Sequence, residues 1–592
     1  MDASDSDDGM RRATGVGDDG VRRAGGTGDD GVRRAGGTGD DGVRRVSRAG
    51  GSDDGIRRRR FLGAGAVTLG AAGVVVAGQL PPGDASASVG GPASPAGPGA
   101  TVSGTVFKLG VASGDPLPTA VVLWTRLTPA QPGHSGILPP SVPVTWEVAA
   151  DSGFTQIIRS GTATAGAALG HSVHVDVTGL SPATGYWYRF KALGRTSPTG
   201  RTRTAPAAGA VPERLRIALA SCQNWQHGYF TAYRDMREQQ PDLVLFVGDY
   251  IYESSAYSYR VRRHEGAGAP VTLAQYRARH EQYGTDPDLR AMRAAAPFVA
   301  VFDDHEVEQD WAGDVANDPV AWPPEKFLAR RAAAFQAFYE HMPIRTAQKP
   351  SGPDALMYRS LDFGALARLH VLDTRQYRDD QAADAAGAQQ TGRVIMGDTQ
   401  RNWLVKSMKE SGAAWNLIAS QVMMAETDFL AGEGKEWSYD AWDGYQKERA
   451  ALLAEFPAVR NPVVLSGDRH RTIVSDLKLD YADPASKVVG AEFVGTSISS
   501  NGDEDLDAFA AEWAPKLADN PHWKIIDARR GYLLLDLTAS GIDARLRTMS
   551  TVLTRDGTTT TAATFRVDAG VPGVRRTGVQ GEPETAAASP TA

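Results

Sequence analysis

Five short apolar segments between residues 215 and 467 each end in side chains that can bind a metal ion. The endings are Cys222, Asp249, the run from Asp303 to Glu306, the run from Asp373 to Arg375, and the run from Asp468 to His470. Continuous apolar segments separated by helical patterns are typical of buried strands in a layered α/β domain. Because ligands of such sheets bind at the carboxyl ends of strands, the five endings predict one converging site.

A different pattern precedes these segments. Between residues 104 and 206 the apolar runs are short and alternate with polar residues, and turn residues separate them. This pattern predicts a β-sandwich. The stretch 180–190 resembles the L-x-P-x-T-x-Y turn of fibronectin-like modules, in which a tyrosine hydroxyl ties the corner. We therefore expect an N-terminal β-sandwich of fibronectin or immunoglobulin type, with Tyr186 and Tyr188 as architectural residues.

Both ends of the chain differ in composition from its middle. A DDG-x-RR unit recurs from Asp7 to Arg58, joined by Gly, Ala and Thr, and its single apolar position cannot build a core. We interpret residues 1–56 as a disordered repeat leader, 88–103 as a Pro- and Gly-rich linker, and 567–592 as a disordered tail. The second folded domain is then expected at 211–566.

Residues 57–87 have the pattern of an export signal. Four arginines, Phe61 and Leu62 precede a Gly- and Ala-rich apolar run that ends near an A-x-A-like site, which resembles a twin-arginine signal peptide. The alternative is an uncleaved anchor, since the apolar run is just long enough to span a bilayer. We expect cleavage after export by the twin-arginine machinery, a secreted or cell-wall location, and no stable membrane span in the mature form.

Charge and cysteine content exclude several classes of function. The formal net charge is -7, from 63 basic and 70 acidic residues, so the chain lacks the basic footprint of an electrostatic nucleic-acid binder. The single cysteine, Cys222, rules out an intramolecular disulfide and a Cys-based zinc finger. This thiol is therefore either a packed core residue or part of the site.

The donors at the strand ends suggest two unlike cations. A lone Asp after Gly is usually a turn residue, and a lone buried Cys is usually packing. Together, however, these endings combine carboxylates and imidazole with a thiol and, at Tyr252, a phenol. Carboxylates suit calcium, magnesium or manganese, whereas phenolate and thiolate favour a more polarising ion such as ferric iron.

Six motifs, taken in order, carry a specific resemblance. They are Ser221-Cys222-Gln223, Gly248 to Glu253, Phe302 to Val307, Leu372 to Arg378, Trp442 to Tyr445, and Ser466 to His470. This set resembles the PhoD-like alkaline phosphatases of the metallophosphoesterase superfamily, over about residues 105–566. The resemblance implies that 104–206 is the family's N-terminal domain and that 211–566 is a metallophosphatase domain of two packed sheets flanked by helices.

The resemblance also implies a ligand set. Cys222, Asp249, Tyr252 and His470 would hold Fe(3+), with Asp249 bridging to Ca(2+) nearby in a dinuclear or trinuclear centre. Asp304 and Asp468 would serve the calcium side, and His305 would face the substrate.

For His305 we predict the role of general acid for the leaving alcohol. Arg375 is the second predicted catalytic residue, as a fork for two phosphate oxygens, although an ion pair with Asp373 is an open alternative. Asp303 is expected to be a supporting or strand-end residue and Glu306 to orient a neighbour, while the role of Gln421 stays open.

The resulting prediction is an exported alkaline phosphatase that hydrolyses small-molecule or polymeric phosphate esters with a metal-activated water. A phosphodiesterase or phospholipase D-like enzyme acting on lipid or teichoic acid diesters is the alternative within the family. The alternative of another class is a non-catalytic cell-surface binding protein. Loops 254–272 and 377–398 are expected to shape the cleft entrance.

Overall fold

The computed structural model describes residues 106–129, 138–255, 261–266, 268–502 and 505–579. The predicted leader at 1–56, signal peptide at 57–87 and linker at 88–103 lie outside the described residues. Among the residues described, no helix combines the length and the apolar character needed to cross a bilayer.

The described residues form strands and helices that we number in chain order. The strands are β1 Val111–Leu117, β2 Ala120–Arg126, β3 Ser141–Ala149, β4 Ile157–Gly166, β5 Ser172–Thr178, β6 Gly185–Ala192, β7 Arg195–Thr196, β8 Gly200–Arg203, β9 Leu215–Ala220, β10 Leu243–Val247, β11 Phe298–Val301, β12 Arg359–Phe363, β13 Ala367–Val371, β14 Trp415–Ala419, β15 Pro462–Ser466, β16 Thr472–Lys478, β17 Val488–Val494, β18 Trp523–Asp527, β19 Gly531–Thr538, β20 Gly541–Met549, β21 Thr559–Asp568 and β22 Arg575–Val579. The α-helices are α1 Ala232–Glu238, α2 Leu273–Gly284, α3 Pro287–Arg293, α4 Pro324–His341, α5 Ala385–Ala388, α6 Gly397–Lys409, α7 Gln446–Leu453 and α8 Leu506–Asp519.

The N-terminal part packs two sheets face to face. One sheet has the order β4-β3-β6-β7, with β8 paired to β6, and strands β1, β2 and β5 belong to the other. A single apolar cluster takes residues from both, including Val121 and Val177 on one side and Val144 and Tyr188 on the other. The hydroxyl of Tyr186 accepts the backbone N–H of Ser181 at 2.9 Å. The fibronectin or immunoglobulin topology stays a prediction.

One of these sheets continues into the following domain. Its order is β22-β21-β20-β19-β9-β10-β11-β1-β2-β5, and the junction is the parallel contact of Gly114 with Phe298. A Cβ at Gly114 would lie 2.5 Å from the carbonyl oxygen of Phe298 and 2.2 Å from that of Pro343, so only glycine permits this approach. The two predicted domains therefore share one sheet.

A second sheet packs against the first. Its order is β12-β13-β14-β15-β17-β16-β18. The main apolar cluster contains Leu219 and Leu535 from the first sheet and Val463 and Phe493 from the second. The other cluster joins the second sheet to helices α6 to α8. Two packed sheets with helices outside them agree with the predicted layers, while the assignment to the metallophosphoesterase fold in detail stays a prediction.

The predicted boundary at residue 566 is wrong. Strand β21 runs on to Asp568, and β22 pairs with it in antiparallel fashion. Arg566 binds Asp568 and Arg575 binds the same carboxylate at 3.2 Å, so backbone pairing and ion pairs order a segment with few apolar residues. Residues 567–579 are thus not a disordered tail, and 580–592 lie outside the described residues.

Candidate metal centre

Strand ends from both sheets meet at one edge. Strands β9, β10 and β11 are parallel neighbours in the first sheet and lead to Cys222, Asp249 and the segment that begins at Asp303. Strand β15 of the second sheet leads to Asp468. A Cβ added at Gly467 would lie 2.6 Å from the Ser221 hydroxyl, which shows how closely the strand ends of the two sheets approach. The predicted convergence of strand ends is therefore present.

Three overlapping groups of donors lie at this edge. Within each group the candidate ligand atoms are all within 4.8 Å of one another. The groups are Cys222 with Asp249 and His470, then Asp249 with Asp304 and His305, then Asp303 with Asp304 and Asp468. Because Asp249 belongs to the first two groups and Asp304 to the last two, the groups form one continuous chain of donors.

Tyr252 adds a phenol to the first group. Its hydroxyl lies 2.8 Å from Asp249 Oδ2 and 2.9 Å from His470 Nε2. The Ser500 hydroxyl lies 2.8 Å from the Tyr252 oxygen and 2.8 Å from the Cys222 carbonyl oxygen, so it links the loops that carry these donors. All four residues predicted for the iron side thus lie together.

The backbone at this edge is strained in a consistent way. Cys222, Asp249, Asp468 and His470 have φ angles of 56°, 58°, 67° and 53°. Non-glycine residues rarely adopt this left-handed region, and each such position costs about 1–3 kcal/mol. The surrounding structure must hold these four side chains in place against that cost.

Glu306 supplies part of this support. Its buried carboxylate accepts the backbone N–H groups of Tyr250 at 2.6 Å, of Asp303 at 2.8 Å and of Asp249 at 3.3 Å. One side chain therefore ties the loop after β10 to the loop after β11. This contact set agrees with the expectation that Glu306 orients its neighbours.

The buried acidic groups of the site favour the binding of a cation. Burial, together with the charges of nearby carboxylates and against the opposing charge of Arg375, raises the pKa of Asp303 to about 8 and that of Asp468 to about 7. Burial also raises the pKa values of Cys222 and Tyr252 well above their ordinary values, and the charge of Asp249 adds to both shifts. A bound cation would reverse these shifts by favouring the deprotonated forms.

Several buried oxygens at the site also lack a hydrogen-bond partner. They are Asp249 Oδ1, Asp303 Oδ2 and Asp304 Oδ1. Buried polar atoms are normally satisfied, so three orphaned carboxylate oxygens at one edge need an explanation. Metal ligation would satisfy them, and the mixture of carboxylates, imidazole, thiol and phenol fits the predicted pair of unlike cations.

His305 lies beside these carboxylates. Its Nδ1 is 2.7 Å from a carboxylate oxygen of Glu253, and its ring packs on that of Tyr252 with centroids 4.1 Å apart. Burial lowers the pKa of His305, but the negative charges of Glu253 and Asp304 outweigh burial and hold this pKa well above its ordinary value. A protonated imidazole at this position can donate a proton to a leaving group.

Arg375 is surrounded by carboxylates. Its Nε donates to Asp303 at 2.6 Å, and its two terminal nitrogens bind Asp440 at 2.8 and 2.7 Å. The side chain is fully buried. The alternative of an ion pair with Asp373 is wrong, because Asp373 receives the Arg375 backbone N–H and not its guanidinium. The role of phosphate fork stays a prediction, and this geometry favours a structural ion pair.

Gln421 and Asp443, of which Asp443 belongs to one of the six motifs, make contacts of a structural kind. Gln421 Oε1 accepts the backbone N–H of Thr374 at 2.9 Å and its hydroxyl at 2.6 Å. Asp443 accepts the backbone N–H of Thr427 at 3.0 Å and pairs with Arg449. These contacts anchor loops near the strand ends without adding donors to the centre.

Sequence reasoning missed four residues near the site. Asp440 precedes a short 3-10 helix and Ser500 lies in a loop, so neither follows the strand-end pattern. Glu253 stands inside a recognised motif without an assigned role. His227 Nδ1 accepts the N–H of Asn501, and burial followed by the charges of His470 and His305 lowers its pKa to about 3.

Comparisons with known proteins were consistent with this geometry. A family profile described as "PhoD-like phosphatase" matches residues 217–546, and one described as "PhoD-like phosphatase, N-terminal domain" matches 92–206. The chain is 42% identical over 483 residues to alkaline phosphatase D of Bacillus subtilis (strain 168), covering 79% of this chain and 82% of the relative. A solved structure titled "Structure of PhoD" superposes with a TM-score of 0.77 at 41% identity, covering 81% of this chain and 94% of that one.

Proposed function

Because the chain belongs to the PhoD-like phosphatase family and is a phosphoric ester hydrolase, we propose that it is an exported, metal-dependent alkaline phosphatase. Its membership in an enzyme family sets aside the alternative of a non-catalytic surface protein. The proposed substrates are small-molecule or polymeric phosphate esters outside the cell. The proposed cations are Fe(3+) and Ca(2+).

One observation carries the proposal of unlike cations. A thiol, a carboxylate and an imidazole, from Cys222, Asp249 and His470, offer ligand atoms within 4.8 Å of one another, and the Tyr252 phenol lies 2.8 Å from Asp249. Thiolate and phenolate suit ferric iron. The neighbouring group of Asp303, Asp304 and Asp468 has only oxygen donors, which suit calcium.

The chemistry divides between the cations and the chain. When bound, the cations would hold the phosphate oxygens, offset the charge that develops on them and lower the pKa of the attacking water. His305 would supply the proton: its ring lies beside the carboxylates of Glu253, Asp249 and Asp304, and transfer from Nε2 to the leaving oxygen would release the alcohol. Glu306 and Arg375 hold the loops that position these groups.

Export rests on residues 57–87, which lie outside the described residues. The arginine run and the A-x-A-like site support transport by the twin-arginine machinery, which carries folded proteins and would accept one already loaded with metal. N-terminal sequencing of the protein from the culture medium and the cell wall tests this proposal. A mature start near residue 88 is expected, and a protein that keeps its signal inside the cell would contradict export.

A hydrolysis assay tests the proposed function. The purified protein is expected to release 4-nitrophenol from 4-nitrophenyl phosphate, to lose this activity in a calcium chelator, and to regain it with added calcium. Parallel reactions with bis(4-nitrophenyl) phosphate separate the monoesterase from the diesterase alternative. Absence of hydrolysis on both esters, or hydrolysis that withstands complete removal of metal, would contradict the proposal.

A further inference from the structure

We propose that Glu253 is a positioning residue that fixes His305 in the orientation from which its Nε2 serves the leaving group. This inference rests on the proposed function, since it assigns a partner to the residue that donates the proton. Glu253 follows Tyr252 directly, on the same loop after β10 that carries Asp249. A single loop therefore brings two metal-side donors and the proposed partner of His305 to the site.

The contacts of Glu253 use both of its carboxylate oxygens. Oε2 lies 2.7 Å from His305 Nδ1, and Oε1 accepts the backbone N–H of Gln309 at 2.9 Å. The two side chains are largely shielded from water, with 8% of the Glu253 side chain and 14% of the His305 side chain exposed. A carboxylate hydrogen-bonded at both oxygens is held in place, so it fixes the direction in which Nδ1 of the imidazole points.

A second contact fixes the face of the same ring. The rings of Tyr252 and His305 have centroids 4.1 Å apart and an interplanar angle of 31°. Adjacent residues of one loop thus hold the imidazole by its edge and by its face. Because one ring nitrogen of His305 lies within 4.8 Å of oxygens of Asp249 and Asp304, the ring is held against the metal-side carboxylates.

This arrangement assigns different work to the two ring nitrogens. Nδ1–H donates to Glu253, which leaves Nε2–H for the oxygen of the departing alcohol. As the oxygen of the attacking water forms its bond to phosphorus, the P–O bond to the alcohol breaks and gives its electron pair to the alcohol oxygen, which takes the Nε2 proton. A neutral imidazole remains, with Nδ1–H still hydrogen-bonded to Glu253. A carboxylate that orients a catalytic imidazole in this way contributes strongly to turnover in other hydrolases.

The test compares Glu253→Gln with Glu253→Asp. Loss of the carboxylate charge should lower kcat/KM for an alkyl phosphate such as glycerol 3-phosphate by about tenfold or more, because proton donation to a poor leaving group suffers most. Hydrolysis of 4-nitrophenyl phosphate should change much less. Glu253→Asp should keep part of the alkyl phosphatase activity, and Glu238→Gln, the same change at an exposed position at the end of α1, should behave as wild type.

A double-mutant cycle separates positioning from a general effect on the fold. If Glu253 acts through His305, Glu253→Gln should cause no further loss in a His305→Ala background. Additive losses, equal losses on both esters, or an unimpaired Glu253→Gln enzyme would overturn the role of Glu253 while leaving the proposed function intact. A wild-type protein that hydrolyses neither ester would overturn both. Metal content and near-UV circular dichroism of each variant identify any that has lost its fold.

Discussion

The hydroxyl oxygen of Tyr252 lies 2.8 Å from Asp249 Oδ2. Three positions along one loop therefore bring a phenol and a carboxylate to hydrogen-bond distance, in a place where burial and the charge of Asp249 oppose ionisation of the phenol. Such a pair is costly to bury unless a cation shares it. The contact between Tyr252 and Asp249 therefore supports the proposal that these two residues bind the iron.

Loss of this phenol should weaken iron binding. We expect Tyr252→Phe to reduce the iron content and to remove or shift the visible absorption band, because phenolate would no longer donate to the metal. Elemental analysis and absorption spectroscopy measure both. Tyr250→Phe is the matched control, since Tyr250 is equally buried but its ring packs against Phe246 and His280 rather than against the donors. Equal iron and equal spectra in the two variants would remove Tyr252 from the ligand set.

Arg375 should matter for stability more than for substrate binding. Arg375→Gln would leave the buried carboxylates of Asp303 and Asp440 without their partner, at a cost of about 3–5 kcal/mol in the free energy of unfolding. Denaturant titration measures this loss. Arg401→Gln, which breaks the exposed pair with Asp398, should cost at most about 1 kcal/mol. Unchanged stability with a higher KM would instead establish Arg375 as a phosphate ligand.

His305→Ala should discriminate between leaving groups. Removal of the general acid should slow hydrolysis of alkyl phosphates by about 10²–10⁴-fold, while 4-nitrophenyl phosphate, which needs little protonation, should lose far less. Steady-state kinetics with a series of aryl and alkyl phosphates provide the comparison. Equal losses across the series would assign His305 to binding or metal ligation rather than to proton donation.

Acid should destabilise the protein through buried histidines away from the metal centre. Burial lowers the pKa of His174 to about 4 and that of His280 to about 3, and it lowers the pKa of His341 well below its ordinary value. In the unfolded chain these groups titrate near about 6.5. As the pH falls below that value, these histidines bind protons in the unfolded state but not in the folded state. The free energy of unfolding therefore falls by about 1.4 kcal/mol per pH unit for each histidine.

The measurement is the free energy of unfolding between pH 8 and pH 5. His280→Phe, which keeps a ring stacked on His341, should reduce the loss of unfolding free energy at acid pH. An identical slope for wild type and His280→Phe would contradict this account of acid sensitivity.

The strand ends were predictable because chemistry and topology coincide there. Each apolar run that ends in Cys222, Asp249, Asp304 or Asp468 indicates a buried strand, and its last residues indicate which edge of the sheet the side chain reaches. The spacing alone therefore predicts that these side chains converge. Asp440 gives no such signal. Asp440 contacts Arg375 from a loop whose position is set by tertiary contacts. No local sequence pattern predicts that contact.

The sheet that the two domains share could not be predicted from the sequence either. The junction depends on Gly114, which allows β1 to approach β11. In the sequence, Gly114 precedes Asp115 and has the pattern of an ordinary turn glycine. The ordered segment that ends at Val579 was missed for a related reason. An edge strand draws its order from backbone pairing with β21, and backbone hydrogen bonds leave no apolar periodicity in the sequence.

The metal content and visible spectrum of wild type and Cys222→Ser test the central claim most directly. Cys222 is buried at the strand end where the thiol, carboxylate and imidazole meet. Wild type should contain iron together with calcium and absorb visible light, and Cys222→Ser should lose the iron and the colour while keeping its near-UV circular dichroism. Ser221→Ala, a change at the preceding buried residue, should retain both. Iron and colour retained in Cys222→Ser, or no iron in wild type, would contradict the proposed centre.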